Sequence, residues 1–395
     1  MHLDSNITGS NDMICLSHLR WNFVFQRPQH LMSRFAKVRR VFYIEEPVFK
    51  AGEPGLTTTI CPDTQVRIVT PHLNTEQDRS AILKRLMSQF ITSNGIQSAV
   101  AWFYTPMALE FVPDNLKASA IIYDCMDELS MFRGAPPEIQ RLEQRLIAMS
   151  HLMFTGGISL FEAKQHLHSN IYPFPSGVDA QHFKQARSIR EDFNEQAGIA
   201  KPRLGYAGVI DERMDLPLVE EVARRRPDWQ VIMIGPTAKI SPESLPRLPN
   251  IHWLGMKTYA DLPKYFARWN AAIMPFALND STRFISPTKT PEFLAAGLPV
   301  ISTAIRDVVR PYEELGLVAI AHSPDEFVKS AEKVMNTDMC LKWRQRSDAF
   351  LESLSWDSVW EGMNRHIETV LTPPVSKPAA KQHIQLPAFG VSANA

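Results

Sequence analysis

Short apolar runs alternate with amphipathic stretches along most of this chain, and that alternation restricts the fold to parallel sheets covered by helices on both faces. In the first half the runs at 13–16, 41–44, 99–104, 120–123, 152–155 and 171–173 read as strands. Helix candidates separate them, such as 28–38, where Leu31, Phe35 and Val38 share one face. The second half repeats the theme at 204–207, 231–234, 251–254, 271–274, 300–302 and 318–320. Two doubly wound domains follow. Phe174-Pro-Ser-Gly-Val-Asp179 interrupts the periodicity, so the expected division is 12–176 and 177–354. A last helix is expected over 355–371, opened by Ser355 as its cap. The Pro, Ala, Ser, Lys and Gln of 372–395 predict a disordered tail.

With 395 residues and 45% hydrophobic content, the chain can bury a large core. Lys plus Arg equals Asp plus Glu at 42 each, so no global field draws in nucleic acid or an anionic membrane. The run Arg224-Arg-Arg226 reads as a solvated helix end. Cys15, Cys61, Cys125 and Cys340 lack C-x-x-C spacing, which excludes a zinc ribbon or disulfide framework and predicts reduced, mostly buried thiols. The first ten residues have no basic start and no apolar core, as a secretory signal would, and no apolar run is long enough to span a bilayer. The expectation is a cytoplasmic protein whose membrane contact, where there is any, is peripheral at the inner face. No G-x-G-x-x-G follows a strand, no G-x-x-x-x-G-K-[ST] occurs, and the twelve histidines show no metal-ligand spacing.

Ser286-Pro-Thr-Lys-Thr-Pro-Glu-Phe-Leu-Ala-Ala-Gly-Leu-Pro-Val-Ile-Ser302 places Lys289 and Glu292 at the entrance of a short helix that runs into a buried strand. Thr290 is the expected N-cap and Pro291 the first helical residue, which turns free backbone N–H groups toward Lys289 and Thr288 as an anion site. A blander account keeps Glu292 as a dipole-stabilising first-turn acid and Lys289 as a solvated charge. The segment resembles the donor-binding signature of glycosyltransferase family 4 and its GT-B relatives. That resemblance implies that Glu292 holds the ribose of a nucleotide sugar and that nearby basic residues meet the diphosphate. The family's earlier glutamate, which contacts the sugar, would fall at Phe284. Leu152-Met-Phe-Thr-Gly-Gly-Ile-Ser159, Pro175-Ser-Gly-Val-Asp179 and Phe183 resemble the same family's strand, helix and interdomain linker, and 355–371 its final helix, which crosses back to the first domain.

Ligands of open α/β sheets lie beyond the carboxyl ends of the strands, which directs attention to the first-domain loops. Ser17 to His30 is long and polar, with Trp21 and Phe23 as sugar platforms and Arg20, Gln26 and Arg27 as partners for hydroxyls or a phosphate. The alternative places the aromatics in the core and the polar groups at the surface. In Tyr123-Asp-Cys-Met-Asp-Glu128, Asp127 is the candidate base toward an acceptor hydroxyl and Asp124 the residue that orients the loop, beside plain turn formation. In the second domain Gly208 allows close backbone approach. The resemblance puts a diphosphate arginine at Val209, so Arg213 is its substitute candidate, and Arg283 is a further charge partner. Gly235 and Pro236 fall where the family binds the nucleobase.

The reading is a GT-B glycosyltransferase with its donor in the second domain and its acceptor in the first, linked by resemblance to bacterial surface polysaccharide. The donor is a nucleotide-diphosphate sugar, UDP by analogy, and the acceptor a saccharide or lipid-linked hydroxyl. No cofactor or metal is called for, because cationic side chains, Lys289 among them, can hold the departing diphosphate. Two alternatives stay open: an epimerase or hydrolase of sugar nucleotides, and a non-catalytic sugar-nucleotide-binding scaffold.

Overall fold

The computed structural model describes residues 12–336 and 341–372. Cys340 and the tail from 373 onward lie outside the described residues. The first sheet is built from β1 (Asp12–Leu16), β2 (Val41–Ile44), β3 (Val48–Phe49), β4 (Gly55–Ile60), β5 (Arg67–Leu73), β6 (Ala99–Phe103), β7 (Ala118–Cys125), β8 (Leu152–Thr155) and β9 (Ile171–Pro173). Their order is β3-β5-β2-β1-β6-β7-β8-β9, with β4 antiparallel on β5 and the other pairs parallel. The second sheet contains β10 (Arg203–Ala207), β11 (Gln230–Ile234), β12 (Ile251–Gly255), β13 (Ala271–Met274), β14 (Val300–Ser302) and β15 (Val318–Ile320). It is wholly parallel in the order β12-β11-β10-β13-β14-β15. Both orders reverse direction beside the first strand of their domain, and ligand crevices form at such switch points.

The central strands are continuously apolar because helices cover both of their faces, as in Met13 to Leu16 and Ala271 to Met274, all 2% exposed or less. Strands β3 to β5 fall where the sequence reading has none. Thr57 to Ile60 of β4 are solvent-exposed at the sheet edge, and β5 mixes Arg67, Thr70 and Pro71 with its apolar residues, so neither shows a buried run. The first helix runs Arg27–Phe35 rather than 28–38, and Val38 is exposed.

Two chain segments join the domains and lie side by side. The Val178 N–H donates to the Leu354 carbonyl at 2.7 Å, and a Cβ on Gly177 would lie 2.8 Å from the Trp356 nitrogen. The last helix, Trp356–Leu371, is capped by the Ser355 hydroxyl, which accepts from the Ser358 N–H. It packs on the first domain: Trp356, Met363 and Ile367 join the core cluster of Met13, Leu31 and Trp102. Arg39 and Arg34 pair with its Glu368 and Asp357.

Candidate functional site

Where the strand ends of the two sheets face each other lies a cleft with two cavities. The smaller, about 130 Å³, is walled by Gln26, Asp127 and Gly156 of the first domain and by Arg213, Thr288 and Lys289 of the second. The larger, about 450 Å³, shares Gln26, Asp127 and Arg213 and adds His18, Glu212 and Lys239.

Close approach of the domains depends on glycine. A Cβ on Gly157 would sit 2.3 Å from Asp307 Oδ2 and 2.8 Å from Ser286 Cβ of the second domain, while one on the neighbouring Gly156 would sit 2.4 Å from the Met126 carbonyl oxygen within the first. Asp307 reaches across from the second domain, and its Oδ1 accepts from the Ser159 N–H at 3.0 Å. Beside it, Arg306 and Arg310 pair with Glu162 of the first domain. Phe284 also crosses the gap and packs against the first-domain cluster that contains Leu160.

On the second-domain wall the helix spans Lys289–Ala295, beginning two residues earlier than the sequence suggests. Thr288 is its N-cap. Thr290 is therefore inside the helix, fully buried with its hydroxyl on Met274 Sδ, and Pro291 is its third residue rather than its first. Seven residues make a weak dipole, so the charge at this wall belongs to Lys289 itself. Its Nζ donates to Glu292 Oε2 at 2.8 Å, and the two side chains are 15% and 9% exposed. Burial raises the Glu292 carboxyl above the ordinary range, while Lys289 and then His182 draw it back. Glu292 lines neither cavity; Lys289 keeps two further ammonium protons.

Arg213 is where the sequence reading wants a cation, on the walls of both cavities, held by Asp211 at 2.6 Å and lying over the Phe132 ring. Arg283 is not brought in: it is exposed over the Phe284 ring. Gly208, Gly235 and Pro236 line neither cavity. Gly235 has φ +144, and a Cβ there would lie 1.7 Å from the Gly208 carbonyl oxygen, so these glycines pack the loops after β10 and β11 against each other. The Pro236 carbonyl accepts from the Ile210 N–H.

On the first-domain wall several expected ligand contacts are structural instead. Trp21 is 6% exposed and packs edge-on against Tyr43, so it is a core residue and not a sugar platform. Arg20 donates to Glu45 and to the Glu46 and Pro47 carbonyls, which ties its loop to the end of β2. Arg27 forms a bidentate pair with Asp124, both bonds 2.9 Å, and donates to the Phe174 carbonyl at 2.7 Å. The Arg27 and Asp124 side chains are 1% and 0% exposed. Asp124 thus orients Arg27 rather than backbone N–H groups, and neither residue is a free acceptor contact.

Asp127 and Gln26 remain on the cavity walls. Loss of solvent pushes the half-buried Asp127 carboxyl up to about 6, against the pull of Arg213 and Arg27. A carboxyl so placed can take a proton near neutral pH. Several residues of the larger cavity escaped the sequence reading, among them His18, Glu46, Arg133, Glu212 and Lys239. No local pattern marks them. The Gly156-Gly157 doublet at the end of β8 was the available hint of close domain contact. Among the described residues no group of three or more His, Cys, Asp or Glu is arranged to hold a metal ion. No described helix is long and apolar enough to cross a membrane.

Comparison with known proteins bears on this architecture. The family pattern of Glycosyl transferases group 1 matches residues 201–337. The chain is 27% identical over 253 residues to the "Putative teichuronic acid biosynthesis glycosyltransferase TuaH" of Bacillus subtilis (strain 168). That match spans 58% of this chain and 62% of the relative, less than two thirds of its length. Sucrose-phosphate synthase from Thermosynechococcus elongatus superposes with a TM-score of 0.67 at 12% identity, covering 91% of this chain and 99% of that one. An E. coli trehalose-6-phosphate structure bound with UDP-2-fluoro glucose gives 0.65 at 11%, covering 91% and 99%. A trehalose-phosphate synthase from Burkholderia xenovorans in complex with glucose-6-phosphate gives 0.62 at 12%, covering 92% and 100%. The fold is GT-B.

Proposed function

We propose that this protein is a glycosyltransferase that moves a sugar from a nucleotide-diphosphate donor to a hydroxyl of a saccharide or lipid-linked acceptor. The observation that carries the reading is that Lys289 and Asp127, from opposite domains, line one cavity. Lys289 would neutralise the diphosphate as the sugar C1–O bond breaks, while the acceptor oxygen bonds to C1 and its proton passes to Asp127. Arg213, on the same wall, would add to the leaving-group charge balance, and Glu292 would hold Lys289 and meet the ribose. UDP is the donor nucleotide we favour, supported by family resemblance and by the neighbour bound with UDP-2-fluoro glucose. Membership of glycosyltransferase family 4 and a role in surface polysaccharide assembly are supported by the group 1 match and by TuaH. A cytoplasmic location with peripheral contact at the inner membrane face fits a lipid-linked acceptor, and co-sedimentation with anionic vesicles would detect that contact.

A titration of thermal stability with nucleoside diphosphates tests the donor half. Saturation of a single site at a hundred times its dissociation constant adds about 2.7 kcal/mol, and one base should be preferred. Glu292→Ala and Lys289→Ala should each abolish that shift; a shift that survives both removes the donor assignment. Transfer should also continue in excess EDTA, since we assign the charge stabilisation to side chains. One alternative has an observation in its favour: Phe284 and Val209 stand where the family has a glutamate and an arginine, which suits a donor-binding subunit without turnover. Nucleotide binding with no transfer to any acceptor would support it.

A further inference from the structure

The larger cavity has an unusual balance of charge for a site beside a phosphate-handling wall. Its lining includes the carboxylates of Glu46, Asp127, Asp211 and Glu212 against the cations of Arg133, Arg213 and Lys239, one more acid than base. Two of the cations already have partners. Arg213 is held by Asp211, and Lys239 Nζ lies 4.0 Å from Glu212 Oε1 and 5.0 Å from the Phe132 ring centroid. Arg133 is exposed at the rim, and its backbone N–H donates to Glu212. On the opposite wall, just past β1, His18 presents an imidazole whose Nδ1 is buried and makes no well-formed hydrogen bond among the described residues, with the Tyr104 backbone as its neighbour. Burial and the nearby Lys239 hold that imidazole down to about 4, against the pull of the Tyr104 backbone, so it is neutral at physiological pH. A neutral ring nitrogen either accepts or donates one hydrogen bond, and a sugar hydroxyl can satisfy either need.

We infer that this cavity receives a neutral, hydroxyl-rich saccharide end, that His18 Nδ1 hydrogen-bonds one of its hydroxyls, and that the cavity discriminates against phosphorylated or carboxylated sugars. The inference rests on the acceptor half of the function proposed above. A phosphate or carboxylate carried into the cavity loses hydration and meets a wall with excess negative charge. To recruit Lys239 it must draw the ammonium from Glu212, whose Oε2 is already buried without a partner. A diol meets no such penalty, because carboxylates and imidazole are good partners for hydroxyls. The Burkholderia neighbour that holds glucose-6-phosphate shares the fold alone, and a shared fold does not fix the charge of the acceptor.

Saturation-transfer NMR on the intact protein with methyl α-glucoside, glucose 6-phosphate and glucuronic acid, each with and without UDP, tests this directly. The methyl glucoside should bind, with the two charged sugars roughly tenfold weaker or more, a difference of about 1.4 kcal/mol. His18→Ala should abolish the glucoside signal, and His18→Asn, which returns an amide near the Nδ1 position, should restore part of it. An unchanged response to UDP in both variants shows that they remain folded. Equal or tighter binding of either charged sugar overturns the inference, as does His18→Ala binding within twofold of the parent, or no binding of any of the three. Sugar selectivity that persists while UDP fails to bind removes the donor reading and leaves this inference standing.

Discussion

Two ion pairs face the same cleft and do opposite work. Arg27–Asp124 joins residues 97 positions apart, is bidentate, and has almost no exposure. Its arginine also bonds the interdomain linker at Phe174 and lies 3.8 Å from Met363 of the last helix. Lys289–Glu292 spans three positions of one short helix, makes a single bond, and leaves the ammonium on the wall of a cavity. The first pair has little capacity left for a ligand; the second keeps donors in reserve. A charged residue near a cleft is therefore judged by how many of its hydrogen bonds the fold has already consumed.

The comparison breaks first at Asp124. Asp124→Ala leaves the Arg27 guanidinium buried and unpaired, and should cost about 3–5 kcal/mol of stability in chemical unfolding. A loss below about 1 kcal/mol would mean that the pair is dispensable. Asp127→Asn should lower the rate of transfer about 10²–10⁴-fold and remove the rise of the rate with pH near 6. The folded carboxyl titrates higher than the unfolded one, at about 6 against 3.8, so ionising it opposes folding as pH rises through that window. Asp127→Asn should therefore be at least as stable as the parent at pH 8. Lys289→Ala should reduce kcat/KM about 10²–10³-fold, with an unfolding midpoint near that of the parent; a variant that instead unfolds would place this pair in the same class as Arg27–Asp124. The smallest effect belongs to Glu162→Ala at the partly exposed domain contact with Arg306 and Arg310, about 0.2–1 kcal/mol and diminished by salt.

How much of this was legible depends on sequence separation. All six strands of the second sheet were readable as apolar runs, and so was the segment from Ser286 to Ser302, because helix, cation and strand are consecutive there. The helix start still shifted by two residues, since Thr288 takes the N-cap position and Thr290 is turned into the core. The first-domain wall was harder. Whether Arg27 meets a ligand or Asp124 is decided by where β7 lies relative to β1, with β6 between them, and that placement has no local signature. Trp21 has the composition of a sugar platform and the burial of a core residue, and only its contact with Tyr43 separates the two. The edge strands β3 and β4 were hidden for another reason, since strands that face water need no apolar run, while β5, which lies between them and β2, interrupts its buried Ile68, Val69 and Leu73 with Arg67, Thr70 and His72.

Phe284 carries a consequence for how ligands enter. Its partly buried ring packs against first-domain side chains, and Asp307 gives its carboxylate to a first-domain N–H. Separating the domains uncovers apolar surface and removes a charge-assisted hydrogen bond, so the closed form is favoured by the protein's own contacts. For any ligand too bulky for the closed cleft, the measured affinity equals the intrinsic one multiplied by the fraction of molecules that are open. Loosening the seam at Phe284 would then tighten apparent binding of that ligand while touching none of the groups that recognise it.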